Sequence, residues 1–108
     1  MESAINHSEG FEFANKIEYS ENGIISKKII QQAKGNITLF SFDKGQELSE
    51  HSAPFDALVQ ILEGKAEIII NKQPHTLNSN QSIIMPANIP HAVKAIERFK
   101  MLLTMIKE

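Results

Sequence analysis

The sequence predicts an all-β fold of about eight to ten short strands, arranged as a sandwich or barrel. Three observations support this class. Apolar, β-branched runs recur along the chain, turn residues separate them at intervals of about 8–12 residues, and no segment has the apolar spacing of an amphipathic helix. A chain of 108 residues is long enough for one hydrophobic core, so we expect a single domain.

The predicted strands follow one another with a turn between each pair. Asn22-Gly23 is a turn pair ahead of the β-branched run at residues 24–30. The next strand, residues 37–42, has apolar side chains on both faces, which is typical of a strand covered on both sides. Later strands are expected at residues 47–50, 56–62, 66–70, 74–77, 82–85, 91–93 and 99–106.

The first residues lack this regularity, so we assign residues 1–16 to an N-terminal arm and residues 17–108 to the single barrel domain. No run of about 18 apolar residues exists, and we therefore expect no membrane span. The acidic N-terminus lacks the apolar segment of a signal peptide, which leads us to expect a cytoplasmic protein.

Charge and cysteine content exclude several classes of function. The net charge is −2, which argues against a nucleic-acid partner because such binding depends on clustered lysine and arginine. The chain has no cysteine, so disulfides, thiol nucleophiles and thiolate-bound zinc are excluded. Any metal would be held by histidine, by carboxylate or amide oxygens, or by the backbone, and only four histidines are present.

The four histidines differ in their sequence surroundings. His51 lies at the end of a predicted strand, where it points either into a barrel mouth or into solvent. His91 follows a loop with two prolines, and proline fixes φ, so the first side chain of the next strand is held in place. We expect His75 at the surface beside a turn, and His7 in the N-terminal arm.

Two polar residues belong to the apolar strand predicted at residues 56–62. Gln60 lies in its middle, and a buried glutamine needs hydrogen-bond partners, so it either lines a polar pocket or bridges to a neighbouring strand. Asp56 begins the strand. Because Pro54 interrupts the chain after His51, the alternation of side chains does not decide whether Asp56 faces the interior or solvent.

Two segments have a distinctive spacing of glycine, proline and histidine. Residues 45–64 read GQELSEHSAPFDALVQILEG, and residues 80–91 read NQSIIMPANIPH. These segments resemble the two motifs of the cupins, which are small jelly-roll barrels. The first family motif is a glycine, five residues, H-x-H, three or four residues, a glutamate, six residues and a glycine. The second is a glycine, five residues, P-x-G, two residues, a histidine, three residues and an asparagine.

The resemblance covers roughly residues 24–106 and implies a cupin jelly roll, also described as a double-stranded β-helix. The framework positions that match are Gly45, His51, Gly64, Pro86 and His91. Asparagine replaces two of the motif glycines, at Asn80 and Asn88, and it tolerates positive φ better than most residues. The turns are therefore expected to form. Ala95 stands in place of the final asparagine.

The resemblance also implies a metal site, for which the match is partial. The family commonly binds one metal through three histidines and a glutamate. The chain keeps two of these as His51 and His91, whereas Ala53 and Ala57 stand at the other two positions. A further ligand would be Asp56, which gives a set suited to non-haem iron, or more weakly Gln60. The implied cofactor is one divalent ion of iron, manganese, nickel or zinc.

Three functions are consistent with this resemblance, and whether the chain is an enzyme stays open. The first is a pocket for a small organic ligand with a degenerate metal site. The second is a metal-dependent dioxygenase or isomerase that uses His51, His91 and a third ligand outside the motif. The third is a non-catalytic dimeric sensor or interaction module. The pocket residues are expected to be His51, Asp56, Gln60, Met85, His91, Phe99 and Met101, with Met105 as a further candidate.

A homodimer is also expected. Cupins that resemble this chain usually form homodimers. The segments at residues 24–30 and 101–106 are apolar on both faces, and a single small barrel has little interior in which to bury them.

Overall fold

Two antiparallel sheets hold the nine strands of the computed structural model, which describes residues 5–108. The five-stranded sheet has the order β1-β2-β9-β4-β7, and the four-stranded sheet has the order β3-β8-β5-β6. A short 3-10 turn at Phe13–Asn15 precedes them. The strands are β1 (Ile24–Gln32), β2 (Gly35–Phe42), β3 (Glu47–His51), β4 (Asp56–Glu63), β5 (Lys65–Ile70), β6 (Gln73–Asn78), β7 (Ser82–Met85), β8 (His91–Ala95) and β9 (Phe99–Ile106).

The all-β prediction is confirmed, and each predicted strand is present. Alternation of side chains along β4 shows how the sequence builds the barrel. Ala57, Val59 and Ile61 are buried in the interior, whereas Leu58 and Gln60 lie on the opposite, outer face. The two faces alternate because successive side chains of a strand point to opposite sides of the sheet.

The interior of the barrel is tightly packed at one end. Phe42 and Phe99 are fully buried there, and their rings stack with centroids 4.5 Å apart. The turn between β4 and β5 closes this end at Gly64, which has a φ of +87°. A Cβ at this position would collide with the carbonyl oxygen of Arg98, so the turn requires glycine on both counts.

Asparagine supports two other turns of the barrel, as expected from its place in the motifs. Asn80 has a φ of 70° and Asn88 has a φ of 65°. Both values lie in the left-handed region, which asparagine adopts more readily than most residues. The turns that lead into β7 and β8 therefore form without the glycines of the family pattern.

The N-terminal segment covers part of the outer face of the five-stranded sheet. Ile17 is 2% exposed and packs against Leu39 and Leu102. Lys100 Nζ donates a 2.6 Å hydrogen bond to the carbonyl oxygen of Ala14, which fastens the segment to β9. Within residues 5–108, no helix is long and apolar enough to cross a membrane.

Tyr19 fastens the same segment to the end of β4. Its hydroxyl donates a 2.6 Å hydrogen bond to Glu63 Oε2, and the guanidinium of Arg98 lies 4.3 Å from the centre of its ring. Burial, reinforced by the bond to the Glu63 carboxylate, raises the pKa of Tyr19. The Tyr19 hydroxyl therefore stays protonated and donates its hydrogen bond to Glu63 across the neutral pH range.

Candidate ligand-binding site in the barrel

The end of the barrel opposite Phe42 and Phe99 holds a cavity of about 310 Å³. Its walls are mostly apolar and come from both sheets. Two histidines supply the only ionisable side chains among its lining residues in the described part of the chain. The lining residues are Phe40, Leu48, His51, Ala53, Met85, His91, Val93, Met101, Leu103 and Met105.

The two histidines are brought together by the pairing of β3 with β8. His51 ends β3, His91 begins β8, and the two residues are direct partners in the strand register. A bulge in β3 between Leu48 and His51 shifts the register at this point. The two Nε2 atoms lie 3.2 Å apart, and the rings meet edge to face with centroids 4.4 Å apart.

The other nitrogen of each ring is held by the backbone. His51 Nδ1 lies 2.7 Å from the carbonyl oxygen of Ser49, and His91 Nδ1 lies 3.2 Å from that of Ile89. A carbonyl oxygen only accepts, so each Nδ1 carries the hydrogen and donates it. In the neutral form of both rings, each Nε2 then presents a lone pair to the other. The pair is therefore suited to accept a hydrogen bond from a donor group placed beside both Nε2 atoms.

The two rings differ in their exposure to solvent. His91 is 8% exposed, whereas His51 is exposed at the mouth of the cavity. Burial lowers the pKa of His91 from its ordinary value of 6.5, and the nearby His51 lowers it further, while the contact with the Ile89 carbonyl opposes both. At neutral pH His91 is therefore uncharged and acts as an acceptor at Nε2.

The structure brings only some of the predicted pocket residues together. The predicted residues that line the cavity are His51, Met85, His91, Met101 and Met105. Phe99 also faces the interior, but it lies in the packed core, where it stacks on another phenylalanine rather than lining the cavity.

Asp56 and Gln60 lie on the outer face of β4, which corrects their expected place in the pocket. Asp56 is exposed, and its Oδ1 accepts a 2.9 Å hydrogen bond from the backbone N–H of Ala87. Gln60 is paired across the sheet with Leu102 and Ser82. The physical reason is the alternation of β4, because Ala57 takes the inward position next to Asp56.

Sequence reasoning missed several apolar residues of the cavity wall. Leu103 lies on the same inward face of β9 as the predicted residues Met101 and Met105, so strand alternation alone would have added it. Phe40, Leu48 and Val93 belong to strands whose position around the cavity depends on the sheet order, which the sequence pattern does not give. His7 and His75 are exposed and take no part in this site.

Fold and site together define a small two-sheet β-barrel that is packed at one end and has a histidine pair at the other. The cupin domain family matches residues 38–107, and the chain belongs to this family. Among curated proteins, none gives a significant match.

Several solved structures are similar over most of the chain. A conserved protein of unknown function from Streptococcus pyogenes is 40% identical with a TM-score of 0.92, over 96% of this chain and 91% of that one. A cupin superfamily protein from Desulfitobacterium hafniense is 30% identical with a TM-score of 0.91, over 100% and 99%. A cupin 2 conserved barrel domain protein from Leptotrichia buccalis is 41% identical with a TM-score of 0.87, over 90% of this chain and 47% of that longer one.

The residues around the cavity do not fit the metal set that the family resemblance implies. Ala53 lines the cavity and Ala57 is buried, and neither side chain is able to coordinate a metal. Across residues 5–108 there is no group of three or more histidine, cysteine, aspartate or glutamate side chains placed to hold a metal ion. A catalytic metal ordinarily keeps three protein ligands, and this site offers two.

Proposed function

We propose that the open end of the barrel binds one small organic molecule, which is mostly apolar and carries a single hydrogen-bond donor. The observation that carries this proposal is the arrangement of His51 and His91. Their Nδ1 atoms are held by backbone carbonyls, so both Nε2 atoms, 3.2 Å apart at the cavity wall, are left as acceptors. A hydroxyl or N–H group of a ligand beside both atoms gains two acceptors.

The size and lining of the cavity support a small ligand. A volume of about 310 Å³ lies at the lower end of the range of roughly 300–1,000 Å³ for small-molecule pockets. The walls away from the histidines are aliphatic, thioether and aromatic side chains, so the rest of the ligand is apolar. Three of the lining residues are methionines, whose flexible side chains adapt to ligands of irregular shape.

A pair of probes that differ in one hydroxyl group tests this proposal. Phenol and toluene have nearly the same shape, and both are small enough for the cavity. We expect phenol to bind about tenfold more tightly, equivalent to about 1.4 kcal/mol, because only phenol donates to the histidine pair. Chemical-shift titration of ¹⁵N-labelled protein measures both affinities and shows whether the shifts occur around the cavity.

Two variants separate the histidine pair from the apolar walls. In His51→Ala, phenol should lose its advantage while toluene still binds. The control is His75→Ala, which removes an exposed histidine on β6 and should leave both affinities unchanged. Equal affinities of phenol and toluene in the unaltered protein, or shifts confined to residues outside the cavity, would contradict the proposal.

A metal-dependent enzyme of the dioxygenase or isomerase type is the second candidate. One observation favours it: two nitrogens bound to one tetrahedral ion at about 2.0–2.1 Å lie about 3.3 Å apart, close to the 3.2 Å between the two Nε2 atoms. Elemental analysis of untagged protein decides between the candidates. Near-stoichiometric iron, manganese, nickel or zinc that is lost in His51→Ala favours the enzyme, and protein that takes up none of them excludes it.

A further inference from the structure

The wall of the open-end cavity carries only two kinds of side-chain heteroatom. Three of its lining residues are methionines, and these are all the methionines in the part of the chain that the structure describes. Among the described residues, no carboxylate, amide or hydroxyl side chain lines the cavity. The donors that remain are the imidazole nitrogens of the two histidines and the thioether sulfurs of the methionines.

Two of the methionines flank one alanine at the open end. Met85 of β7 and Met105 of β9 are both register partners of Ala57 on β4, one on either side. Neighbouring strands are about 4.8 Å apart, so the backbones of the two methionines lie about 10 Å apart. Ala57 is buried and its side chain ends at Cβ, so it takes up little of the space between them. Methionine is unbranched and flexible, which lets both sulfurs turn towards the cavity.

The histidines supply nitrogen donors from the other sheet. His51 and His91 belong to β3 and β8, whereas the two methionines belong to β7 and β9 of the five-stranded sheet. At a metal–nitrogen distance of about 2.0–2.1 Å, a linear ion would hold the nitrogens about 4.1 Å apart. The two Nε2 atoms lie 3.2 Å apart, which suits three or four ligands around one ion. An ion held by both histidines therefore has room for sulfur ligands.

Charge and softness decide which ion such a cavity favours. Among the described residues, the wall has no anionic side chain to offset the charge of an ion. The cost of moving an ion out of water rises with the square of its charge, so a divalent ion is penalised about four times as much as a monovalent one. Thioether sulfur is also a soft ligand that selects Cu(I) over harder divalent ions. Both effects favour a soft, monovalent ion.

We propose that the open end of the barrel binds one Cu(I) ion. Its ligands are the Nε2 atoms of His51 and His91 and the thioether sulfurs of Met85 and Met105. This set replaces the missing histidine and glutamate of the family pattern with two sulfurs, and the divalent ion with a monovalent one. His51 is exposed at the mouth, so the ion enters from solvent. The proposal does not rest on the organic ligand proposed above, although both would use the histidine pair.

Titration with silver nitrate in chloride-free buffer tests the site, because Ag(I) has the charge and softness of Cu(I) and stays in one oxidation state. Labelling the methionine ε-methyl groups with ¹³C gives a signal for each methionine. One equivalent of Ag(I) should shift the signals of Met85 and Met105 until they saturate. Zn²⁺ should bind at least about tenfold more weakly. Unshifted signals of Met85 and Met105, or Zn²⁺ bound as tightly as Ag(I), would overturn the proposal.

Leucine variants separate metal ligation from packing. Leucine has a volume close to that of methionine but no sulfur, so each variant keeps the apolar wall. Met85→Leu and Met105→Leu should each weaken Cu(I) binding at least about tenfold, measured by competition with bicinchoninate under ascorbate. Met101→Leu is the matched control, because Met101 lies on the same wall but about 6.6 Å deeper along β9 than Met105. An equal loss in Met101→Leu, or no loss in the other two variants, would overturn the ligand set.

Histidine variants check the nitrogen ligands by the same competition. His51→Ala should weaken Cu(I) binding at least about tenfold, because the ion loses one of its four ligands. His75→Ala removes an exposed histidine on β6 and should leave the Cu(I) affinity unchanged. If His51→Ala bound Cu(I) as tightly as the unaltered protein, the ion would not lie at the histidine pair. Phenol binding is measured without metal, so either ligand is able to fail its test while the other passes.

Discussion

The two ends of the barrel are built from the same strands but differ in how they fill the interior. At the closed end, Phe42 and Phe99 are fully buried and stacked. At the open end, the inward positions on β4 and around the mouth include Ala57 and Ala53, and His51 is exposed. Strand alternation is the same at both ends, and the small side chains of Ala53 and Ala57 leave space at the open end that the stacked phenylalanines fill at the closed end.

The largest effect is expected at the closed end, from Gly64→Ala. A Cβ there collides with the backbone carbonyl of Arg98 and also needs a φ of +87°. The expected loss is about 5 kcal/mol, near the whole stability of a small domain, because neither backbone segment is free to move. Gly45→Ala is the matched control, since Gly45 has a φ of +85° with open space around it. It should cost only about 1–2 kcal/mol.

Urea unfolding followed by circular dichroism measures both glycine variants. Gly64→Ala should show no cooperative transition near room temperature, while Gly45→Ala should unfold at a lower midpoint with an unchanged slope. Similar losses for the two variants would mean that conformational strain, and not the close contact with Arg98, governs the closed end.

A second test compares two phenylalanines whose side chains point inward. Phe99→Ala should cost about 3–5 kcal/mol, because it empties a fully enclosed site in the core. Phe40 is partly buried and lines the cavity, so Phe40→Ala widens a space that already exists and should cost clearly less. Denaturant midpoints give both values. Equal costs would show that the open end is as tightly packed as the closed end.

The pH dependence of stability tests the burial of His91. Its pKa is lowered in the folded protein, so the unfolded chain binds more protons between that lowered value and 6.5. Stability is therefore complete above pH 6.5 and falls as the pH drops below 6.5 towards the folded pKa. His91→Gln should reduce this dependence, while His75→Gln, at an exposed position, should keep it. Urea midpoints at pH 7.5, 6.5 and 5.5 measure this pH dependence. If the midpoint of His91→Gln fell with pH as steeply as that of the unaltered protein, the burial of His91 would not be its cause.

The smallest effect is expected on the outer face of β4. Asp56→Ala removes an exposed hydrogen bond to the backbone N–H of Ala87, which is worth about 0.5–1 kcal/mol. Because Asp56 lies outside the barrel, phenol binding should be unchanged. A thermal melt and the same titration check both statements. A clear loss of phenol affinity would show that Asp56 contributes to the cavity after all.

The fold was predictable from the sequence because its signals are local. Asn22-Gly23, Pro86 and the β-branched runs define strands and turns without reference to distant residues. The motif spacing also singled out His51 and His91, which the structure places 3.2 Å apart across two strands.

The rest of the site was less predictable, because it depends on which face of its strand each side chain occupies and on which strands are neighbours in the sheets. Because Pro54 interrupts the chain, the alternation of side chains between the two faces of a strand could not be carried from His51 to Asp56. In the structure Asp56 faces outward. Leu48 and Val93 reach the cavity because β3 and β8 are neighbours in the smaller sheet, a long-range pairing that no local pattern records.

Because of the position of β3, a ligand held by the histidine pair also stabilises an edge of the smaller sheet. β3 is an edge strand, paired only with β8, while β8 lies inside its sheet between β3 and β5. A group bound by both histidines therefore ties a weakly held edge to the middle of the sheet, and its binding energy opposes local opening of that edge. Occupancy of the cavity should consequently slow amide hydrogen exchange in residues 47–51 far more than in β5.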